Sequence, residues 1–324
     1  MTHPRQLLLG AQAAAGLLPV CDHYSGVAAR MKKSLQLQAD MSAEFGACVF
    51  DVTLDCEDGA PVGGEAEHAA LVAELLGTVA QGQRVGVRVH ATDHPAFEAD
   101  VSTLLSAAQR PAFVMLPKVD DVPSLQRAVA SIDAAGGADV PIHILIESPL
   151  GIHHAFALAA HPRVQSLSFG LMDFVSAHGG AIPASAMGVA GQFAHPLVLR
   201  AKTDMASAAH AYGKVPSHCV VTEFKDAAVL RHAAQQARDQ LGYTRMWSIH
   251  PDQIRTIVDV FAPQPQEIDE AATVIIQAAQ AAWGPIQVKG KLHDRASYRY
   301  YWQVLERAHQ TGRALPSEIA AYFS

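Results

Sequence analysis

Polar residues that end apolar, β-rich runs are where this chain could do chemistry. Asp51-Val-Thr-Leu-Asp55 runs out into Cys56-Glu57-Asp58-Gly59, and Val87-Arg88-Val89 carries a guanidinium inside an apolar run. Met115-Leu-Pro-Lys118 ends on a lysine, Ile144-Leu-Ile-Glu147 and Phe169-Gly-Leu-Met-Asp173 end on carboxylates, and Trp247-Ser-Ile-His250 stops before Pro251. Glu147 and Asp173 follow consecutive runs, and two carboxylates with open positions between them suit Mg²⁺, with Mn²⁺ as the other candidate. The competing reading is that each carboxylate caps the helix that follows; their paired placement favours the metal. Arg88 could grip a substrate carboxylate or stabilise an enolate oxygen, or form a buried ion pair with Asp55 or Glu57, and both can hold at once. Lys118 could neutralise the carboxylates, act on substrate or form a Schiff base. His250, at a run's end, could line the same mouth.

The elements that must position these groups alternate. Short β-rich runs are expected near Gln6 to Leu9, Ala47 to Leu54, Val85 to Val89, Phe113 to Leu116, Ile142 to Ile146, Ser166 to Phe169, His218 to Thr222 and Met246 to Ile249. Helix-forming stretches lie between them, such as Glu65 to Leu76, Ser124 to Ala135, His154 to Ala160, Lys202 to Tyr212 and Asp226 to Leu241. Eight such repeats specify an α/β fold of the TIM (β/α)8 type, whose chemistry sits at the C-terminal ends of the strands. Two further helices, around Ile268 to Trp283 and Ala296 to His309, flank a turn-rich segment from Gly284 to Arg295. The expected organisation is a catalytic barrel over 1–284 and a C-terminal helical extension over 285–324, whose aromatic residues suit packing on the barrel or a neighbour.

Composition narrows the function. The 324 residues carry 31 acidic against 24 basic groups, a formal charge of −7 that argues against a general nucleic-acid binder. Half the residues are hydrophobic, enough for a large core. The four cysteines, Cys21, Cys48, Cys56 and Cys219, form neither a disulfide framework nor a zinc spacing, so a reducing cytoplasm is the expected compartment. The 17 histidines contain no HExxH, and no Gly-rich run forms a dinucleotide loop. Leu7 to Val20 superficially resembles a signal peptide's apolar region, but Gln12 and Pro19 interrupt it, and a first barrel strand with its loop is the expected reading. No stretch approaches the ~20 apolar residues of a membrane span.

The ordered set Asp51–Gly59, Val87–Val89, Met115–Val119, Ile144–Ile152, Phe169–Asp173 and Trp247–Pro251 resembles the family of citrate lyase β subunits, malyl-CoA lyases and related aldolases. The resemblance implies a Mg²⁺-dependent barrel that cleaves or forms a carbon–carbon bond beside a thioester of the malyl-CoA, citramalyl-CoA or citryl type. It implies Glu147 and Asp173 as metal ligands and Arg88 as the enolate-stabilising arginine. Lys118, Asp55, Glu57 and Asp58 match the polar shell around them, and His250 joins Asp55 and Glu57 as a candidate substrate contact. Lys291-Leu-His-Asp294-Arg295 resembles a segment whose aspartate, here Asp294, closes over a neighbouring subunit's site as acid/base. That implies a homo-oligomer, trimer or hexamer, with an acyl-CoA or 2-oxo acid as its small-molecule partner. Two alternatives stay open: a CoA-independent aldolase on pyruvate-type substrates, and a subunit acting on an acyl-carrier protein. The chain departs from the pattern at Leu18–Gly26, after Gly59 and at His90, where a CoA nucleotide would be held. There Asp22, His23 and Tyr24 could add polar groups to the mouth, although an ordinary loop is the favoured reading.

Overall fold

A computed structural model describes residues 3–10 and 17–323. Eight parallel strands close into a barrel in chain order: β1 (Cys21–Ser25), β2 (Phe50–Asp55), β3 (Val85–Arg88), β4 (Val114–Leu116), β5 (Ile142–Ile146), β6 (Val164–Phe169), β7 (Val215–His218) and β8 (Arg245–Ser248). β1 pairs with both β2 and β8, which leaves the barrel no open edge. The TIM barrel expected from the repeats is therefore the observed fold.

Alternation along each strand sorts residues into two environments. Phe50, Val52 and Leu54 of β2, Val85 and Val87 of β3 and Ile142, Ile144 and Ile146 of β5 join the core beneath the outer helices. The intervening residues, Asp51, Thr53 and Asp55, then Gly86 and Arg88, then His143, Leu145 and Glu147, share the opposite parity and face the barrel axis. A smaller apolar cluster of Phe113, Met115, Leu145 and Trp247 fills the middle of that interior.

The first strand departs from expectation. Gln6 to Leu9 lies in a helix, Pro4–Leu9, started by Pro4 at its first turn and capped by His3, whose Nδ1 accepts the Arg5 amide. Leu8 and Leu9 pack into a second apolar cluster with Ile268, Ile275, Tyr298, Trp302 and Ile319, not into the barrel. The true β1 is Cys21–Ser25, so Asp22, His23 and Tyr24 are strand residues rather than loop. Of the run from Leu7 to Val20, the positions 11–16, Gln12 among them, lie outside the described residues.

β7 starts three residues earlier than the apolar run His218 to Thr222 suggests, because Pro216 sits within the ladder. Its carbonyl still accepts the Thr244 amide, and only its missing N–H argued against a strand there. The turn-rich segment forms a hairpin, β9 (Ile286–Val288) with β10 (Lys291–His293), turning through Lys289 and Gly290, both at positive φ. The helices Pro265–Gln280 and Arg295–Gln310 flank it. No described helix is long and apolar enough to cross a membrane.

Candidate active site at the strand ends

Parity brings the ends of β2, β3 and β5 to one mouth. Arg88 lies in a carboxylate cradle: Nε donates to Asp55 Oδ1 at 2.5 Å, Nη1 meets Glu57 Oε2 at 2.8 Å and Nη2 meets Asp58 Oδ2 at 2.7 Å. The Tyr24 ring lies 4.9 Å from the guanidinium carbon, and Arg88 Nη2 donates to the Tyr24 hydroxyl at 3.3 Å. Tyr24 in turn donates to Asp55 Oδ2 at 2.5 Å. Burial opposes the charge on Arg88, and Asp55 and Glu57 outweigh it, holding the guanidinium well above its ordinary pKa. Among the described residues four of its five guanidinium N–H groups find partners, which leaves one on Nη1. Asp55 is wholly buried and committed to this cradle, whereas Asp58 is 71% exposed and is the partner most readily displaced.

Glycine makes the cradle sterically open. A Cβ on Gly59 would stand 2.5 Å from the carbonyl oxygens of Asp55 and Gly26, so the loops after β1 and β2 close over Arg88 only with glycine there. Likewise a Cβ on Gly170 would stand 2.5 Å from Glu147 Oε2, and its absence lets that carboxylate lie across the end of β6.

Lys118 links the two halves of the mouth. Its Nζ donates to Glu57 Oε1 at 2.7 Å, and its backbone N–H, at a φ of 52°, donates to Glu147 Oε1 at 2.8 Å. Burial works against the ammonium, but Glu57, Glu147 and Asp173 outweigh it and hold its pKa above the ordinary value. Burial, then Asp173, then Glu57 push Glu147 up to about 8. Glu147, Asp173 and Lys118 line a cavity of about 540 Å³ whose rim adds Asp93, Asp120 and Arg127.

The capping alternative now separates the candidates. Asp226 caps the helix Ala227–Leu241, and His250 caps Pro251–Phe261 through Nδ1. Glu147 caps nothing: Ser148 caps the helix Pro149–His153 and also donates to Asp120. The helix Leu171–Ser176 begins at Gly170 with no side-chain cap, leaving Asp173 in its first turn and exposed. Among the described residues no three His, Cys, Asp or Glu side chains form a metal cage. A buried carboxylate pushed up by a second carboxylate, with no third protein ligand, fits a hard cation that keeps water and substrate oxygens.

Two candidates, like Arg88, Asp55 and Glu57, are not part of this cavity's lining. His250 stacks on Phe224 at 4.7 Å and does not line the cavity. Asp294 is exposed and caps the helix Arg295–Gln310, accepting the Ala296 amide at 2.9 Å; it too lies outside this chain's own cavity. Asp22 and Tyr24, weighed from the sequence as possible additions to the mouth, lie on the barrel's inner wall, whereas sequence reading missed Arg245. Arg245 is a buried guanidinium between Asp51 (2.6 Å) and Asp22 (3.1 Å), below the mouth. A basic residue opening a β-rich run was the available signal, akin to the guanidinium inside an apolar run that marked Arg88.

Residues 35–251 match the family model described as HpcH/HpaI aldolase/citrate lyase. A solved structure described as a citrate lyase from Burkholderia xenovorans LB400 is 50% identical, covers 96% of this chain and 98% of its own, and superposes with a TM-score of 0.81. The L-malyl-CoA/β-methylmalyl-CoA lyase of Cereibacter sphaeroides is 29% identical over 280 residues, 79% of this chain and 86% of that protein. The protein CitE of Mycobacterium tuberculosis, solved with magnesium, acetoacetate and coenzyme A, is 21% identical and covers 90% of this chain and 98% of its own, with a TM-score of 0.66, a likeness of fold.

Proposed function

The chain belongs to the HpcH/HpaI aldolase/citrate lyase family, and from that premise we propose that it is a Mg²⁺-dependent lyase cleaving or forming a 3-hydroxyacyl-CoA thioester of the malyl, citramalyl or citryl type. The observation that carries the reading is the pairing of two non-capping carboxylates, Glu147 and Asp173, on one cavity, joined through Lys118 and Glu57 to a caged arginine. Glu147 and Asp173 would hold the cation, which when bound would supply a Lewis acid for the substrate's carboxylate and for the hydroxyl that becomes the carbonyl of the departing 2-oxo acid.

The chain's own groups supply the rest. Arg88 is fixed by Asp55, Glu57 and Tyr24, so its guanidinium stays in place while the remaining Nη1 donor, joined by an Nη2 donor once Asp58 yields, meets an enolate oxygen. Lys118 holds Glu57 in place and balances the carboxylates when no substrate is bound. Cleavage of a 3-hydroxyacyl thioester also needs a base for the hydroxyl proton. Asp294 suits that task for a neighbouring subunit, since it is exposed and outside its own chain's mouth. The reading therefore includes a homo-oligomer.

A second reading has one observation behind it. The cavity beside Glu147 carries Asp93, Asp120 and Asp121 against Lys118 and Arg127, a poor lining for a polyphosphate handle. This favours a CoA-independent aldolase releasing pyruvate-type acids. Incubation with Mg²⁺ and either malyl-CoA or free hydroxy acids separates the two: glyoxylate released from the thioester alone supports the first, and comparable cleavage of the free acids replaces it with the second. Arg88→Lys keeps the charge but loses the planar fork, and will lower kcat/KM on the active substrate by about a hundredfold. Undiminished turnover by that variant would remove Arg88 from the chemistry.

The intersubunit role has its own test. Asp294→Asn preserves the helix cap, since asparagine caps as well as aspartate, yet will abolish most turnover. Mixed and reassembled with Glu147→Gln, it will regain activity, because some mouths then combine an intact Glu147 with a neighbour's intact Asp294. Failure of the mixture to exceed the sum of its parts refutes the shared site.

A further inference from the structure

A second cavity, of about 340 Å³, lies on the opposite end of the barrel from the mouth. Its walls include Leu18, which precedes β1, Val215, which opens β7, and Thr244, which precedes β8, so it faces the N-terminal ends of the strands. The helix Arg295–Gln310 closes its other side.

Its charges are unusual for a chain with a net charge of −7. Arg5, Lys214 and Arg307 line it against a single carboxylate, Glu306. That carboxylate is already committed: Arg5 Nη1 lies 2.5 Å from Oε1, and Trp302 Nε1 donates to the same oxygen at 2.6 Å. Among the described residues, Lys214 Nζ reaches only the His161 carbonyl, at 3.3 Å. Arg307 has no hydrogen-bond acceptor or ion-pair partner among the described residues, and it also borders the neighbouring cavity that holds Arg238 and Glu267. Arg238 is itself engaged by Asp239 at 2.6 Å and by the Val260 carbonyl. Burial and then Arg238 lower the pKa of Arg307, and Tyr300 and Glu267 offset this only in part. A cation in the last turn of a helix is favoured by the macrodipole, which explains the residue's type but not its place in a concave wall beside a second cation that meets no carboxylate among the described residues.

We propose that this cavity binds a small oxyanion, a carboxylate or phosphate of metabolite size, with Arg307 as its principal grip and Lys214 as the second. The volume lies in the range of small-molecule pockets, and an unpaired guanidinium offers two parallel donors to either anion. Thr244 and Gln303 in the walls can supply further hydrogen bonds. The site shares no residue with the catalytic mouth, so its occupant is an effector or structural anion and not the substrate in turnover.

Titration calorimetry on the full chain, with inorganic phosphate and separately with succinate at an ionic strength fixed by chloride, tests this. At least one probe will bind saturably, with a Kd near or below about 1 mM; which one does so assigns the chemistry to phosphate or carboxylate. Arg307→Met will weaken that binding at least about tenfold, while Glu147→Gln leaves it intact. Should Arg307→Met not fold by circular dichroism, Lys214→Met serves in its place with a smaller loss. The proposal falls if neither probe binds saturably, if binding survives both cavity variants, or if it is lost with Glu147→Gln instead.

Discussion

Glu147→Gln will be about a thousandfold slower in Mg²⁺-dependent cleavage and yet more resistant to unfolding than the parent at alkaline pH. The first effect follows from the proposed role: removing one of two protein ligands forfeits several kcal/mol of charge stabilisation, and about 4 kcal/mol is about a thousandfold in rate. The second follows from the geometry alone. Burial, Asp173 and Glu57 raise the folded-state pKa of Glu147 from 4.5 to about 8. Between those values the folded chain holds a proton that the unfolded chain has released, so stability falls as pH rises from 4.5 and has lost the full contribution above about 8. Each pH interval of one within that window costs about 1.4 kcal/mol. Glutamine has no such penalty, so the melting temperature of the metal-free variant will exceed the parent's by several degrees at pH 8.5, and the two will converge toward pH 5. The same proton must leave before a cation can bind, so apparent Mg²⁺ affinity of the parent will weaken about tenfold for each pH step below 8. Asp173→Asn will reproduce the kinetic loss. It will also lower the pKa of Glu147, so the variant will lose less stability than the parent as pH rises to 8.5. Melting curves with and without Mg²⁺ across pH 5 to 9, beside turnover, read all of these. A variant that is slow but no more stable than the parent at pH 8.5 would separate the carboxylate's catalytic role from the electrostatic account given for it.

Which parts of this site were legible depended on what each strand displays. β2 reads Phe-Asp-Val-Thr-Leu-Asp, and its period of two announces both a strand and which carboxylates point inward. β5 ends on Glu147 after three alternating isoleucines, with the same clarity. β1 displays nothing of the kind: Cys-Asp-His-Tyr-Ser contains no large aliphatic residue, because His23 lies on its outer face and Asp22 and Tyr24 on its inner one. The leucines of Pro4–Leu9 therefore attracted the assignment, although they belong to the cluster built by the C-terminal helices. Cradle geometry was also beyond the sequence. Arg88 with Asp55 or Glu57 was readable as a pair, but Tyr24 joins them only because β1 and β2 are hydrogen-bonded in the register Tyr24 to Thr53. Likewise Lys118 approaches Glu147 through a backbone N–H in a left-handed conformation, which no side-chain pattern encodes.

Arg245→Met will destabilise the fold by about 3–5 kcal/mol, the cost of stranding buried carboxylates. Arg245 is 1% exposed, donates to the Pro19 carbonyl at 3.0 Å and pairs with Asp51 and Asp22. Burial opposes ionisation of Asp51, but Arg245 and Arg84 overcome it and hold the carboxyl below its ordinary range. For Asp22 burial wins, and its pKa stays raised despite Arg245 and a 2.7 Å hydrogen bond from Thr53. The triad is thus imperfectly satisfied: Asp22 Oδ2 and Arg245 Nε and Nη2 have no well-aligned hydrogen bond. Removing only the arginine leaves Asp22 without its cation and Asp51 with Arg84 alone, at 2.9 Å and one-third exposed. Removing the carboxylates as well removes the penalty. Arg245→Met combined with Asp22→Leu and Asp51→Leu will therefore recover most of the lost stability, since apolar replacements of buried ion pairs are often neutral or stabilising. Urea midpoints at pH 7 for parent, single and triple variants make the comparison. A triple variant no more stable than Arg245→Met would show that the arginine's aliphatic stem and its bond to Pro19, rather than charge pairing, hold the lower half of the barrel together.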